Sequence, residues 1–205
     1  MMEPIIHGII LAFGLILPLG AQNVFLFNQG IIQKRMIHTL PAVITAGMAD
    51  TIMISMAVAG VSVLVWTIPW IQTVLYGIGF CFLTYIGWGL WKSVPDTVQA
   101  GEESFPPRKQ IIFAASVSLL NPHAILDIVG VIGTSSLAYS GPEKWSFSMA
   151  CIAVSWIWFF GLAAAGRLIG SLVAQGKLLL ILNRISALLI WSMAVFMLIR
   201  LSRLL

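Results

Sequence analysis

Long apolar stretches separated by short polar ones set the pattern of this chain. An apolar run of about 20 residues fits a helix that crosses a membrane. The pattern predicts six such spans, over residues 4–27, 40–65, 71–91, 111–137, 145–165 and 185–201. Most connections are short. The longest polar stretch, residues 93–110, holds Pro95, Glu102, Glu103, Pro106, Pro107, Arg108 and Lys109 and reads as a flexible surface loop. It divides a single transmembrane domain into a first repeat (4–92) and a second (111–203), with three spans each.

Polar residues interrupt this pattern at three places. In span 1, Pro18 and Gly20 weaken the helix and Gln22 and Asn23 follow. In span 2, Asp50 sits about ten residues in. In span 4, Asn121, Pro122, His123 and Asp127 fall within seven residues. Pro122 has no N–H to donate and clashes with the carbonyl one turn back. The backbone groups it frees need partners in protein or beside a water-filled cavity. His123 and Asp127 are four apart and share a helix face. An ionisable residue at such depth costs about 2.5–3.5 kcal/mol on insertion scales, which points to function. The bland alternative is a proline kink with Asn and His capping loose groups, and amides at 22 and 23 that only cap a helix end.

Each repeat thus opens with a broken span. Three is odd, so the two repeats enter the membrane with opposite orientation. The pattern predicts an all-α integral membrane protein, with six transmembrane helices as two inverted three-helix repeats and helices 1 and 4 broken. Interrupted spans at matching positions mark the binding site of such transporters.

Composition agrees with the pattern. Of 205 residues, 60% are hydrophobic and 9% charged, against about 25% charged in soluble domains. The net charge of +4 rests on only eleven Lys and Arg, most near span ends, and does not suggest nucleic acid. Loops 1–2, 3–4 and 5–6 with their flanks hold eight of them (Lys34, Arg35, Lys92, Arg108, Lys109, Arg167, Lys177, Arg184), and the other side holds three (Lys144, Arg200, Arg203). That bias places the first set in the cytoplasm and both termini outside. Residues 1–29 lack a basic leader and read as a first span, not a signal peptide. Cys81 and Cys151 lie in apolar runs and read as packing. No nucleotide-binding loop or metal-cluster spacing occurs, so no cofactor is expected.

Two carboxylates, amides and freed backbone suit a cationic solute. Asp50 and Asp127 can accept from an ammonium and a cationic side chain. Gln22, Asn23 and freed N–H groups can donate to a carboxylate. Asn121 and His123 complete the set, and His123 titrates in the range a proton exchange needs. A divalent-cation exporter using His123, Asp127 and Asp50 is a second possibility. A serine enzyme built on Ser116 or Ser118 with His123 and Asp127 is a third, although spacings of seven and five do not place those serines on the histidine's face. Membrane lipid and a small-molecule substrate are the expected partners. A homodimer is also expected, with weak support from the small-xxx-small pattern Gly166…Gly170.

Four stretches, LPLGAQNVFLFNQG (17–30), ADTIMI (49–54), LLNPHAILD (119–127) and SWIWFFGLA (155–163), resemble the LysE/ArgO-type amino-acid exporters, in order and over nearly the whole chain. The resemblance implies export of arginine or lysine across a bacterial cytoplasmic membrane, driven by a proton gradient or membrane potential. It places the family's span 2 aspartate at Asp50 and its Asn-Pro-His and following aspartate at Asn121, Pro122, His123 and Asp127. Ala21 stands where the family has proline, which implies a milder break in span 1 resting on Pro18 and Gly20.

Overall fold

A computed structural model describes residues 2–17, 20–33, 35–61, 69–92, 105–172 and 176–202. Among these the chain is helical throughout, with no strand. A helix pairs its backbone groups within one segment, which is what a hydrocarbon surround demands. The helices are α1 (Met2–Ile16), α2 (Ala21–Ile32), α3 (Leu40–Met56, ending in a π-helical turn, Ala57–Val61), α4 (Pro69–Lys92), α5 (Pro107–Leu119), α6, α7 (Gly141–Leu172) and α8 (Gly176–Ser202). Helix α6 starts at Pro122–Leu126 and widens into a π-helical stretch, Asp127–Ile132. It continues through Gly133–Ser135 to a 3-10 turn, Ser136–Ala138.

Prolines mark the helix starts. Pro41, Pro69, Pro107, Pro122 and Pro142 each occupy the first or second position of a helix. There the missing N–H has no ladder partner to lose, and the fixed φ suits the first turn. Span 4 is therefore broken at Pro122, as its position predicts, and not merely kinked. The ladder of α5 stops at Leu120, whose N–H bonds Ser116 O at 2.9 Å, and Pro122 begins a new helix. The α5 axis turns 58° into the following helix. Between α1 and α2 the turn is 79°, so the break in span 1 is the sharper of the two despite Ala21. Ala21 takes the first position of α2, as Pro122 does in α6, and Gly20 before it is extended (φ −77°, ψ 175°). Pro18 lies outside the described residues.

The described helices at Leu40–Gly60 and Gly141–Gly170 are each long and apolar enough to cross a membrane, and each bent pair would add one more span. By length alone α4 and α8, with 24 and 27 residues, reach about 36 and 40 Å. Helix α8 begins nine residues earlier than the polar stretch suggested. Lys, Leu and Arg are good helix formers, so residues 176–184 extend the helix rather than interrupt it. Arg184 places its guanidinium 5.7 Å from the Trp91 ring centre. Helix α5 likewise starts at Pro107, so the last residues of the expected linker are its first turn.

Helix α7 packs on α1, α2 and α3, α5 packs on α3, and α4 pairs with α8. Contact between α2 and α7 is backbone to backbone. A Cβ on Gly30 would meet the Ala163 carbonyl, and one on Gly166 the Phe27 carbonyl. Gly170 lies close to Ile31, though less tightly. The Gly166…Gly170 pattern thus serves the α2–α7 contact within the chain. Among the described residues three apolar clusters form, two of which concern the region below. One holds Met53, Ile54, Ile128, Val129, Ile132, Phe147 and Cys151; the other holds Phe25, Leu26, Val43, Ala46, Phe159 and Ala163.

Candidate functional site

Between those clusters lies a cavity of about 80 Å³. Both helix breaks open onto it. From the first come Gly20, Gln22 and Asn23, and from the second Asn121, Ala124 and Asp127. Helix α3 contributes Asp50 and Ile54, and α7 contributes Ser155 and Phe159. Leu15, Ile16, Ile128 and Ile132 give it an aliphatic side. The amides, the asparagine and both carboxylates expected from the sequence therefore meet at one place, although they come from residues 22 to 127 of the chain. The backbone of His123 lies in the first turn of α6; its side chain and that of Pro122 are outside the described residues.

Local chemistry explains the positions. A helix start leaves its first N–H groups outside the ladder. In α2 the ladder begins with Val24 N–H to Gly20 O (3.0 Å), and in α6 with Ile125 N–H to Asn121 O (3.1 Å). The two half-helices thus present their N-terminal, partly positive ends to the cavity. The two amides of span 1 have different partners. Gln22 Nε2 donates to Asp50 Oδ1 at 3.4 Å. Asn23 Nδ2 donates to Ile16 O at 2.7 Å, so it satisfies a carbonyl that the break strips from the end of α1. Asn23 thus caps the end of α1 at the break and also lines the cavity. Gln22 instead reaches the carboxylate.

Asp50 is buried, and the Ser155 hydroxyl lies within reach of its carboxylate in the same cavity. Asp127 is half-buried and lies at the point where α6 widens into its π-helical stretch, a distortion frequent at functional sites. Ser155 and Phe159 lie in the SWIWFFGLA stretch that carries the family resemblance, but neither is among the expected site residues. Their spacing of four on one helix, with a hydroxyl inside an apolar run, is the signal that was there. Among the described residues no three His, Cys, Asp or Glu side chains cluster as a metal site needs.

Residues 13–201 match the model of the LysE type translocator family. The chain belongs to that family. It is 59% identical over 193 residues to the Bacillus subtilis protein named "Putative amino-acid transporter YisU", covering 94% of this chain and 88% of that one. It is 32% identical over 194 residues to the arginine exporter protein ArgO of Salmonella typhi, covering 92% and 90%. The ArgO of Salmonella typhimurium is similar to the same extent. No solved structure matches. The family is one of membrane transporters, and the chain is a multi-pass membrane protein of the amino-acid exporter type.

Proposed function

We propose that the chain is a secondary active exporter of basic amino acids, arginine and lysine, in a bacterial cytoplasmic membrane. The observation that carries this is the meeting of both helix breaks and two carboxylates at one cavity. Asp50 and Asp127 take the α-ammonium and the side-chain cation. The N–H groups at the starts of α2 and α6, with Asn121, take the carboxylate. Gln22 holds Asp50, and Asn23 keeps the break in shape. His123 and the two carboxylates exchange the coupling protons. The arginine exporters among the relatives support the substrate.

Six spans in two inverted repeats are part of the same proposal. Exchanging α1 with α5, α2 with α6, α3 with α7 and α4 with α8 carries each main packing contact into another that is present. The α1–α7 contact becomes α5–α3, α2–α7 becomes α6–α3, and α3–α7 and α4–α8 map onto themselves. The cavity is smaller than the roughly 300 Å³ at the lower end of ligand pockets, so it must widen to take a whole amino acid. A second reading, export of an amino acid with an apolar side chain, draws on the aliphatic side of the cavity.

Expression in a bacterium lacking its own arginine exporter separates the two. The proposal expects growth to be restored on toxic arginine analogues and not on toxic branched-chain analogues, and Asp127→Asn to lose this protection while still inserting. Protection against branched-chain analogues alone would overturn it.

A further inference from the structure

The carboxylate of Asp50 is gripped from two helices that belong to different repeats. Gln22 reaches it from α2 at 3.4 Å, and Ser155 from α7. All three side chains are buried, and all three line the cavity. A carboxylate accepts about four hydrogen bonds, so two donors fix its plane and still leave acceptor sites. The residues next to them are joined across the same contact, Trp156 Nε1 donating to Thr51 Oγ1 at 3.1 Å, which sets Ser155 of α7 beside Asp50 of α3.

We propose that Ser155 is a positioning residue: its hydroxyl, with the Gln22 amide, holds the Asp50 carboxylate so that its charge meets the substrate cation in one orientation. The proposal rests on the cavity being the substrate site. Hydrogen bonds to a charged group are stronger than neutral ones, and losing one disfavours the ionised form. Among the described residues Asp127, across the cavity on α6, is the other titratable side chain that lines it, and it stays in place in the test below.

The test uses the full chain in vesicles, comparing wild type, Ser155→Ala and Ser155→Thr at matched insertion. Two readouts are taken. The first is the concentration dependence of arginine efflux. Ser155→Ala is expected to raise KM about tenfold with a smaller change in maximal rate, and Ser155→Thr, which keeps the hydroxyl, to recover most of it. The second does not depend on the substrate. Dicyclohexylcarbodiimide attacks buried carboxylic acids in their protonated form, and mass spectrometry of the Asp50 peptide follows the modification. Labelling of Asp50 is expected to persist to higher pH in Ser155→Ala than in wild type or Ser155→Thr, by about one pH unit, which is the same tenfold change.

Unchanged labelling in Ser155→Ala overturns the proposal, whatever the transport result. Labelling that shifts equally in Ser155→Ala and Ser155→Thr overturns it too, since packing rather than the hydroxyl would then matter. Shifted labelling with a wild type that exports no amino acid supports the grip on Asp50 and removes the substrate reading instead.

Discussion

At the residue scale, the two span 1 amides separate binding from architecture. Asn23→Ala leaves the Ile16 carbonyl without its partner at a helix break, a loss of about 1–3 kcal/mol. It is expected to lower the thermal midpoint of detergent-solubilised protein while the KM for arginine moves little. Gln22→Ala is expected to do the reverse, because Gln22 touches the Asp50 carboxylate. Fluorescence-detected thermal unfolding beside vesicle efflux tells them apart; equal effects of both variants on stability would contradict the assignment. Asp50, Asp127 and Asn121 were legible in the sequence because charge and amides in an apolar run are costly and so stand out. Ser155 was not, since a serine on a membrane helix can bond its own chain one turn back, as Ser146, Ser148, Thr45 and Thr51 do. Nothing in the letters separates that use from a grip on a distant carboxylate.

At the scale of elements, the half-helices are placed by close backbone approach. Gly30 and Gly166 let α2 lie directly on α7, and the turn between α1 and α2 follows from where α2 is held. Gly166→Val would drive a side chain into the Phe27 carbonyl on a rigid helix. It is expected to cost about 1–3 kcal/mol and to lower the fraction of protein surviving detergent extraction. Gly161→Ala is the control, since nothing lies within 4 Å of its Cβ. A stable Gly166→Val with normal efflux would contradict the packing. The break positions could be read from Gly20, Asn121 and Pro122. The size of the bends could not, because a proline or its absence sets where a ladder stops, and partner helices set the direction of the next one. Ala21 makes the point: without a proline there, the bend is still 79°.

At the scale of the whole molecule, each end of the bundle is closed by a different clasp. At the end carrying Arg35 and Arg108, Gln110 Nε2 bonds His38 O (2.9 Å) and Phe105 O (2.8 Å). There too Gln33 Nε2 bonds Phe105 O (3.2 Å) and Arg167 bonds Gln33 O. Gln110 Oε1 and Thr39 Oγ1 in this layer are buried with no hydrogen-bond partner among the described residues. A polar layer left partly unsatisfied is poorly stabilised and suited to opening. At the opposite end His7 Nδ1 and the Tyr139 hydroxyl are 2.8 Å apart. Burial, then the charges of Glu3 and Glu143, push the Tyr139 hydroxyl above its ordinary value, so it keeps its proton. In the inverted-repeat proposal the two clasps correspond, since each ties the start of a broken span to the loop after the other half. With Cys81 and Cys151 replaced by serine, Ile54→Cys reports on the cavity. Gln110→Ala is expected to increase its labelling by an impermeant thiol reagent applied from the cytoplasmic side, and Tyr139→Phe from the outside. The opposite sidedness would contradict the predicted orientation, in which the basic end faces the cytoplasm.

The most direct test of the account is efflux of labelled arginine and lysine from reconstituted vesicles, with and without an imposed proton gradient, for wild type beside Asp50→Asn and Asp127→Asn. The account predicts efflux of both amino acids that the gradient accelerates and that either substitution abolishes at normal insertion. Gradient-driven efflux that survives both substitutions would remove the cavity as the substrate site. Efflux of neutral amino acids only would keep the site and refute the basic substrate.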